Sequence, residues 1–372
     1  MKTTKFTSFA LVTALGFLML LSSCQTNEDA SQKDILPSKF RVAVPSSMTT
    51  STSGARIGGR TETDTLKGNA IYLNLATFIA VGDGAALLVE EFIAGIRIYH
   101  IDRVLSLSYV SDDDKRTKNL VVSSQVAYEG KTWDYELTIT DAESEGNDDG
   151  GKALQIFWNK SNVIQGIAII KPYNCDRIKN ANVPDAMFRI DYSEAGENGY
   201  DQQMEVSISG LPLGNPLENP YAMNTLRMFV GKKGDVVDVY GNSNHPNAIF
   251  FSGTKGFDWA FVASSSDSKN IAVSEVGLPP NTLDSHDHQV LLKEYSIKNV
   301  FTTEITTVWP GIDQSILNAY LANTAAPGYF NSNGFISGAV SPGADWDVLA
   351  TRLDNLTPYN PSETNSLSLE FK

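Results

Sequence analysis

Residues Asp284, Ser285, His286, Asp287 and His288 place two of the chain's four histidines beside two carboxylates. In an extended stretch alternate side chains share a face, so His286 and His288 could bind one metal ion such as zinc, with Asp284 completing the shell. The segment also follows Pro279-Pro280-Asn281 and precedes a helical pattern, where Asp and Ser are ordinary capping residues. Zinc normally takes about three or four protein ligands, and only two imidazoles lie close together in sequence. Asp141, Glu143 and Glu145, followed by Gly146, have the alternating acids and the glycine of a calcium loop. Lys152 stands where that loop needs its final Glu, so an acidic hairpin turn competes with weak calcium binding.

Stacking residues are the other candidates. Trp309 and Trp346 lie in irregular regions and could bind a glycan face or wall a lipid, whereas Trp133 alternates with aliphatic residues and reads as core. Residues 241–247 concentrate Asn, Gly and His, which could hydrogen-bond a sugar, but Asn, Gly and Pro are the usual residues of a turn and the segment reads as one. Cys175 has Asn174, Asp176 and Arg177 as neighbours and no nearby histidine, the setting of a small buried hydrophobe rather than a nucleophile. The chain lacks GxSxG, HExxH, GxxxxGK[ST], CxxCH and a GxGxxG after a strand, which points away from the common enzyme classes. Paired carboxylates of a glycoside hydrolase would leave no such motif. A formal net charge of −14, with no basic patch interleaved with aromatics, argues against nucleic acid as a partner.

The first residues carry an address. Lys2 and Lys5 precede an uncharged apolar run, residues 9–21, too short to span a bilayer and of the form of a secretory signal. The run ends in Leu21-Ser22-Ser23-Cys24, which resembles the lipobox of bacterial lipoproteins. The resemblance implies removal of residues 1–23, diacylglycerol on Cys24, and a stable tether to the lipid bilayer through several acyl chains. With Gln25 rather than Asp next, it further implies sorting to the outer membrane. Cys175 then has no partner for a disulfide.

Behind the address, residues 24–67 are rich in Ser, Thr and charge and read as a flexible stalk. Residues 69–101 are apolar at helical spacing. Asp83, Glu90, Glu91 and Arg97 interrupt them, so the reading is a buried helix rather than a membrane span, with a break or a close approach at Gly82 and Gly84. Period-two alternation then predicts strands at 105–110, 120–128, 133–140, 153–158, 166–171, 188–192, 204–209, 226–230, 236–240 and 259–263. Short polar connectors between them suggest hairpins in sequence order. Helices are expected at 289–295, 314–321 and 345–353, and a closing strand at 367–371.

The expected fold is therefore α+β and strand-dominated: a long antiparallel meander, curved into a sheet or partial barrel around the apolar helix (residues 68–276), with a mixed C-terminal part (277–372) packed on it. That architecture is similar to the lipoprotein carriers and other half-barrel proteins of the periplasm, which shelter an apolar ligand. The resemblance implies a non-enzymatic envelope lipoprotein that binds an apolar ligand or a protein partner at the outer membrane. A surface glycan-binding or glycan-cleaving lipoprotein is the alternative. No cofactor is expected beyond the calcium and zinc candidates above.

Overall fold

The computed structural model describes residues 35–50, 68–97, 101, 103–160, 163–216, 219–250, 253 and 255–372. Cys24 and the leader lie outside the described residues. Thirteen strands among them form one antiparallel sheet: β1 (Leu105–Val110), β2 (Thr117–Tyr128), β3 (Lys131–Asp141), β4 (Lys152–Asn159), β5 (Gln165–Ile170), β6 (Met187–Ser193), β7 (Gln202–Ser209), β8 (Thr225–Lys233), β9 (Val236–Ile249), β10 (Lys255–Ser266), β11 (Ile271–Gly277), β12 (Gly328–Asn331) and β13 (Gly334–Gly338). Each pairs with the next in sequence, and the sheet stays open. Helices are α1 (Ser46–Thr49), α2 (Gly68–Arg97), α3 (Pro172–Cys175), α4 (Ile297–Val308), α5 (Gln314–Tyr320), α6 (Ala344–Ala350) and α7 (Pro361–Asn365), with a π-helical turn at Gln289–Glu294.

The expected meander around an apolar helix is what the chain builds. By length and composition α2 could cross a membrane. Here it lies in the core, because Ile71, Leu75, Phe78, Ile79, Val89 and Ile93 are buried against the inner face of the sheet. The helix runs through both glycines without the break the sequence suggested. Gly82 is a close approach instead: a Cβ there would sit 2.5 Å from the Met228 methyl on β8, while one at Gly84 would meet nothing within 4 Å.

Residues 35–44, expected as part of a flexible stalk, are instead packed into the core. Ile35, Leu36, Phe40, Val42 and Val44 are buried between α2 and the strands. Polar contacts hold them there: the Trp158 indole N–H donates to the Ile35 carbonyl at 2.7 Å, and the Phe40 N–H donates to the Glu90 carboxylate at 2.9 Å. Arg41 forms an ion pair with Asp83 on α2. Period-two burial of Phe40, Val42 and Val44 was the signal within a Ser- and Thr-rich context.

Helix, segment 35–44 and inward side chains fill the concave side. Between α2 and strands β10 to β12 the remaining void is about 10 Å³, the space of one water. In this stretch α2 packs directly on the sheet, in the place that a ligand would occupy in a carrier.

Alternate side chains face outward, and two patches of them are covered. Ala260, Val262, Ile271 and Val273 form an apolar cluster with Leu291, Leu292, Leu349, Leu353 and Leu356, so the C-terminal helices pack on the outer face of β10 and β11. Trp133, Phe157, Ile167 and Ile169 form another, packed by Phe371. Residues 367–371, expected as a closing strand, are not in the sheet. They pack on its face, anchored where the Lys372 N–H donates to the Gln155 side chain at 2.8 Å.

Candidate binding groove

Antiparallel register sets side chains from distant parts of the chain into rows across the outer face. One row reads Phe157, Ile167, Asp191, Glu205, Phe229 and Tyr240 from β4 to β9, each directly opposite the next. On one side of it runs Ile169, Arg189, Ser207, Arg227 and Asn242; on the other, Gln165, Ser193 and Gln203. Where these rows pass between the two covered patches, the face is open. It holds a groove of about 320 Å³, near the lower end of the roughly 300–1,000 Å³ typical of small-molecule sites.

Two carboxylates stand in its floor, and an arginine reaches each from the neighbouring row. Arg189 holds Asp191 with two bonds of 2.8 Å and also grips Glu129 from the β2–β3 turn. Arg227 Nε donates to Glu205 at 2.7 Å, and its guanidinium lies 4.0 Å over the Tyr359 ring. The planar, bidentate contacts of Arg189 fix carboxylate orientation better than a lysine could. Burial raises the Asp191 pKa and the opposing Glu205 charge adds to that rise, while Arg189 pulls it back. Desolvation, with the Glu205 carboxylate alongside, also pushes the Tyr359 phenol upward.

Aromatic walls complete the groove. Phe229 and Tyr240 stack at 4.7 Å, and Tyr359 tilts against Tyr240 at 5.6 Å. Tyr240 and Tyr359 are half-buried and so present surface to a ligand, whereas Phe229 and Trp133 are nearly covered. Along the rim, Gln165 and Gln203 donate to the exposed Glu197 carboxylate at 3.2 and 3.3 Å.

The residues singled out in the sequence lie elsewhere. His286 is exposed and lies 3.4 Å from Glu363, while His288 is nine-tenths buried with Nδ1 2.7 Å from the Leu356 carbonyl. Asp284 accepts from the Asn360 amide at 2.6 Å, and Asp287 accepts from the Gln289 N–H, the capping role the sequence also allowed. His286, His288 and Asp284 thus meet three different partners rather than one ion. Asp141, Glu143 and Glu145 each take a partner from the protein. Arg116, Lys118 and Arg177 surround the buried Asp141 carboxylate, and although burial pushes its pKa up, these cations hold it below the usual range. Glu143 pairs with Arg116, and Glu145 accepts from Asn119. Among the described residues no group of three or more His, Cys, Asp or Glu side chains is placed to hold a metal.

Trp309 is exposed at the end of α4, as expected, but Trp346 donates its indole N–H to the Phe330 carbonyl at 2.9 Å and packs on the outer cluster. The Cys175 thiol lies 3.4 Å from the Ala153 carbonyl, and desolvation pushes its pKa up, so it is a poor nucleophile.

A Ser–His pair was not anticipated. Ser243 Oγ and His245 Nε2 are 2.7 Å apart on β9, and Nδ1 is 3.0 Å from the Tyr221 carbonyl. Because a carbonyl only accepts, Nδ1 carries the proton and Nε2 accepts from the hydroxyl. That is the arrangement of an activated nucleophile. Both side chains are fully buried, however, and His245 sits among Phe78, Phe257 and Trp259, so substrate cannot reach it. Burial drives the His245 pKa down to about 3.

No family model, curated protein or solved structure matches this chain.

Proposed function

We propose that this protein is a lipid-anchored envelope protein whose folded body binds a glycan, without cleaving it, in the groove on its outer sheet face. The observation that carries the ligand class is the floor row itself: two arginine-held carboxylates between aromatic side chains, with amides along the rim. Fixed planar polar groups suit the many hydroxyls of a sugar, and half-buried Tyr240 and Tyr359 supply apolar faces for its C–H surfaces. An apolar ligand under the sheet finds less support, since the helix and segment 35–44 occupy the concave side. Binding without cleavage is favoured by the bidentate grip of Arg189, which engages both Asp191 oxygens and leaves neither free to pass a proton to a ligand.

The anchor rests on the lipobox resemblance at Cys24. Its test is fractionation: the native chain is expected in the outer membrane and Cys24→Ala in the soluble fraction, and a membrane-bound Cys24→Ala would end the anchoring proposal. The groove is tested by affinity electrophoresis on neutral and charged polysaccharides. Retention is expected on at least one gel, reduced tenfold or more in Tyr359→Ala and unchanged in Trp309→Ala. Retention unaffected by Tyr359→Ala would remove the groove as the site.

A further inference from the structure

Resting on the glycan reading above, we infer that the groove prefers sugars bearing a free ammonium group to their N-acetylated forms, and rejects uronic acids. Three observations on the floor and rim lead there.

Asp191 and Glu205 are direct cross-strand partners, so two like charges face one another where opposition is unfavourable. Their arginines do not come between them. Arg189 reaches Asp191 from two residues back on the same strand, and Arg227 reaches Glu205 from the neighbouring row on β8, so both cations approach from the same flank. The opposite flank, toward Ser193 and Gln203, brings no cation to either carboxylate.

The hydrogen-bonding inventory is unbalanced in the same sense. Arg189 spends its donors on Asp191 and Glu129, and the Gln165 and Gln203 amides spend theirs on Glu197, whose other neighbours in the rim are uncharged. Ser193 Oγ already accepts from the Gln165 amide and the Ala195 N–H, so the acceptors that the groove offers a ligand are the carboxylates lining it.

Among the described residues the acidic side chains lining the groove are Glu129, Asp191, Glu197 and Glu205 and the basic one is Lys131, which stands off over the Trp133 ring at 5.8 Å. Even with Arg189 and Arg227 behind the floor the balance stays negative, on a chain whose formal charge is −14. An ammonium seated beside Asp191 and Glu205 would relieve their mutual repulsion and gain charge-assisted bonds, whereas a ligand carboxylate would add a third like charge. N-acetylation removes that charge.

The test is calorimetric titration of the complete chain, purified in mild detergent, with three probes: glucosamine oligosaccharides, their fully N-acetylated counterparts and oligogalacturonate. The free-amine oligomers are expected to bind at least tenfold more tightly than the acetylated ones and to weaken with added salt, with no heat from the galacturonate. Asp191→Asn and Glu205→Gln, assayed singly and checked for fold by circular dichroism, should each erase the amine preference, whereas Trp309→Ala, outside the groove, should keep it. Equal affinity for the two glucosamine forms, or binding of the galacturonate, overturns the charge inference and leaves the groove standing. Binding of none of the three overturns the glycan reading with it.

Discussion

His245 is neutral because aromatic rings enclose it and burial outweighs the Tyr221 carbonyl, which would favour a proton. With its folded pKa depressed to about 3 against an ordinary 6.5, its contribution to stability is complete above pH 6.5 and is lost as pH falls from there toward 3. Acid denaturation should therefore begin below about pH 6, and His245→Gln should flatten that limb while lowering stability at neutral pH. An NMR titration placing the His245 pKa near 6.5 would contradict this. Asp258 is the converse case. It is fully buried, burial raises its pKa well above the usual value, and its partners are the neutral amides of Asn242 and Asn244 at 3.4 and 3.1 Å. Asn242 Oδ1 is buried with no partner, and a proton on Asp258 is the donor it lacks once the amide is reversed. A raised folded pKa gives stability that is present at low pH and lost as pH rises through that value. Asp258→Asn should accordingly raise the melting temperature by several degrees at pH 7 to 8, with the gain vanishing near pH 4; an unchanged difference across that range would refute a protonated Asp258. Neither residue, nor the floor of the groove, was legible in the sequence. Asp191, Glu205, Phe229 and Tyr240 sit on four strands and become neighbours only through register, which a single sequence does not print.

Elements were far more legible, and those misread have physical reasons. β1 begins and ends where alternation placed it, at Leu105 and Val110, because one face is solvated and the other packed. β11 went unseen because all seven of its residues are buried between α2 and the C-terminal layer, so no alternation remained. α4 was missed because four threonines and four other β-branched residues, Ile297, Val300, Ile305 and Val308, give it a strand-like composition that tertiary packing overrides. α2 was foreseen, but not the separate meaning of its glycines. Gly84→Ala, in open space, should stabilise the fold by roughly 0.5–1 kcal/mol through helix propensity. Gly82→Leu should cost about 1–3 kcal/mol as it drives into Met228. Urea denaturation of the two variants, each with an unchanged m-value, decides the point; equal effects would mean the helix does not pack on β8 as described.

The whole molecule is one sheet with both faces in use. Inside, α2 and segment 35–44 complete a solid core; outside, the C-terminal chain covers two patches and leaves the groove between them. The last residues are part of that cover, since Leu367, Leu369 and Phe371 are half-buried in alternation with exposed Ser368, Glu370 and Lys372. Removing residues 367–372 should lower the melting temperature by a few degrees and increase dye binding at the uncovered Trp133, Phe157, Ile167 and Ile169 cluster, without loss of the far-ultraviolet β signal. A truncated chain with unaltered melting and dye binding would mean the tail contributes nothing to the cover. The open ladder also has a kinetic consequence. From β1 to β11 every strand pairs with the one synthesised just before it across a short connection, and only β12 must wait for the helices that precede it. Such ordering keeps loop-closure entropy small over most of the sheet and shortens the time most edges stand bare. A chain built this way can assemble from its amino-terminal side as it is delivered, with the C-terminal layer last to settle.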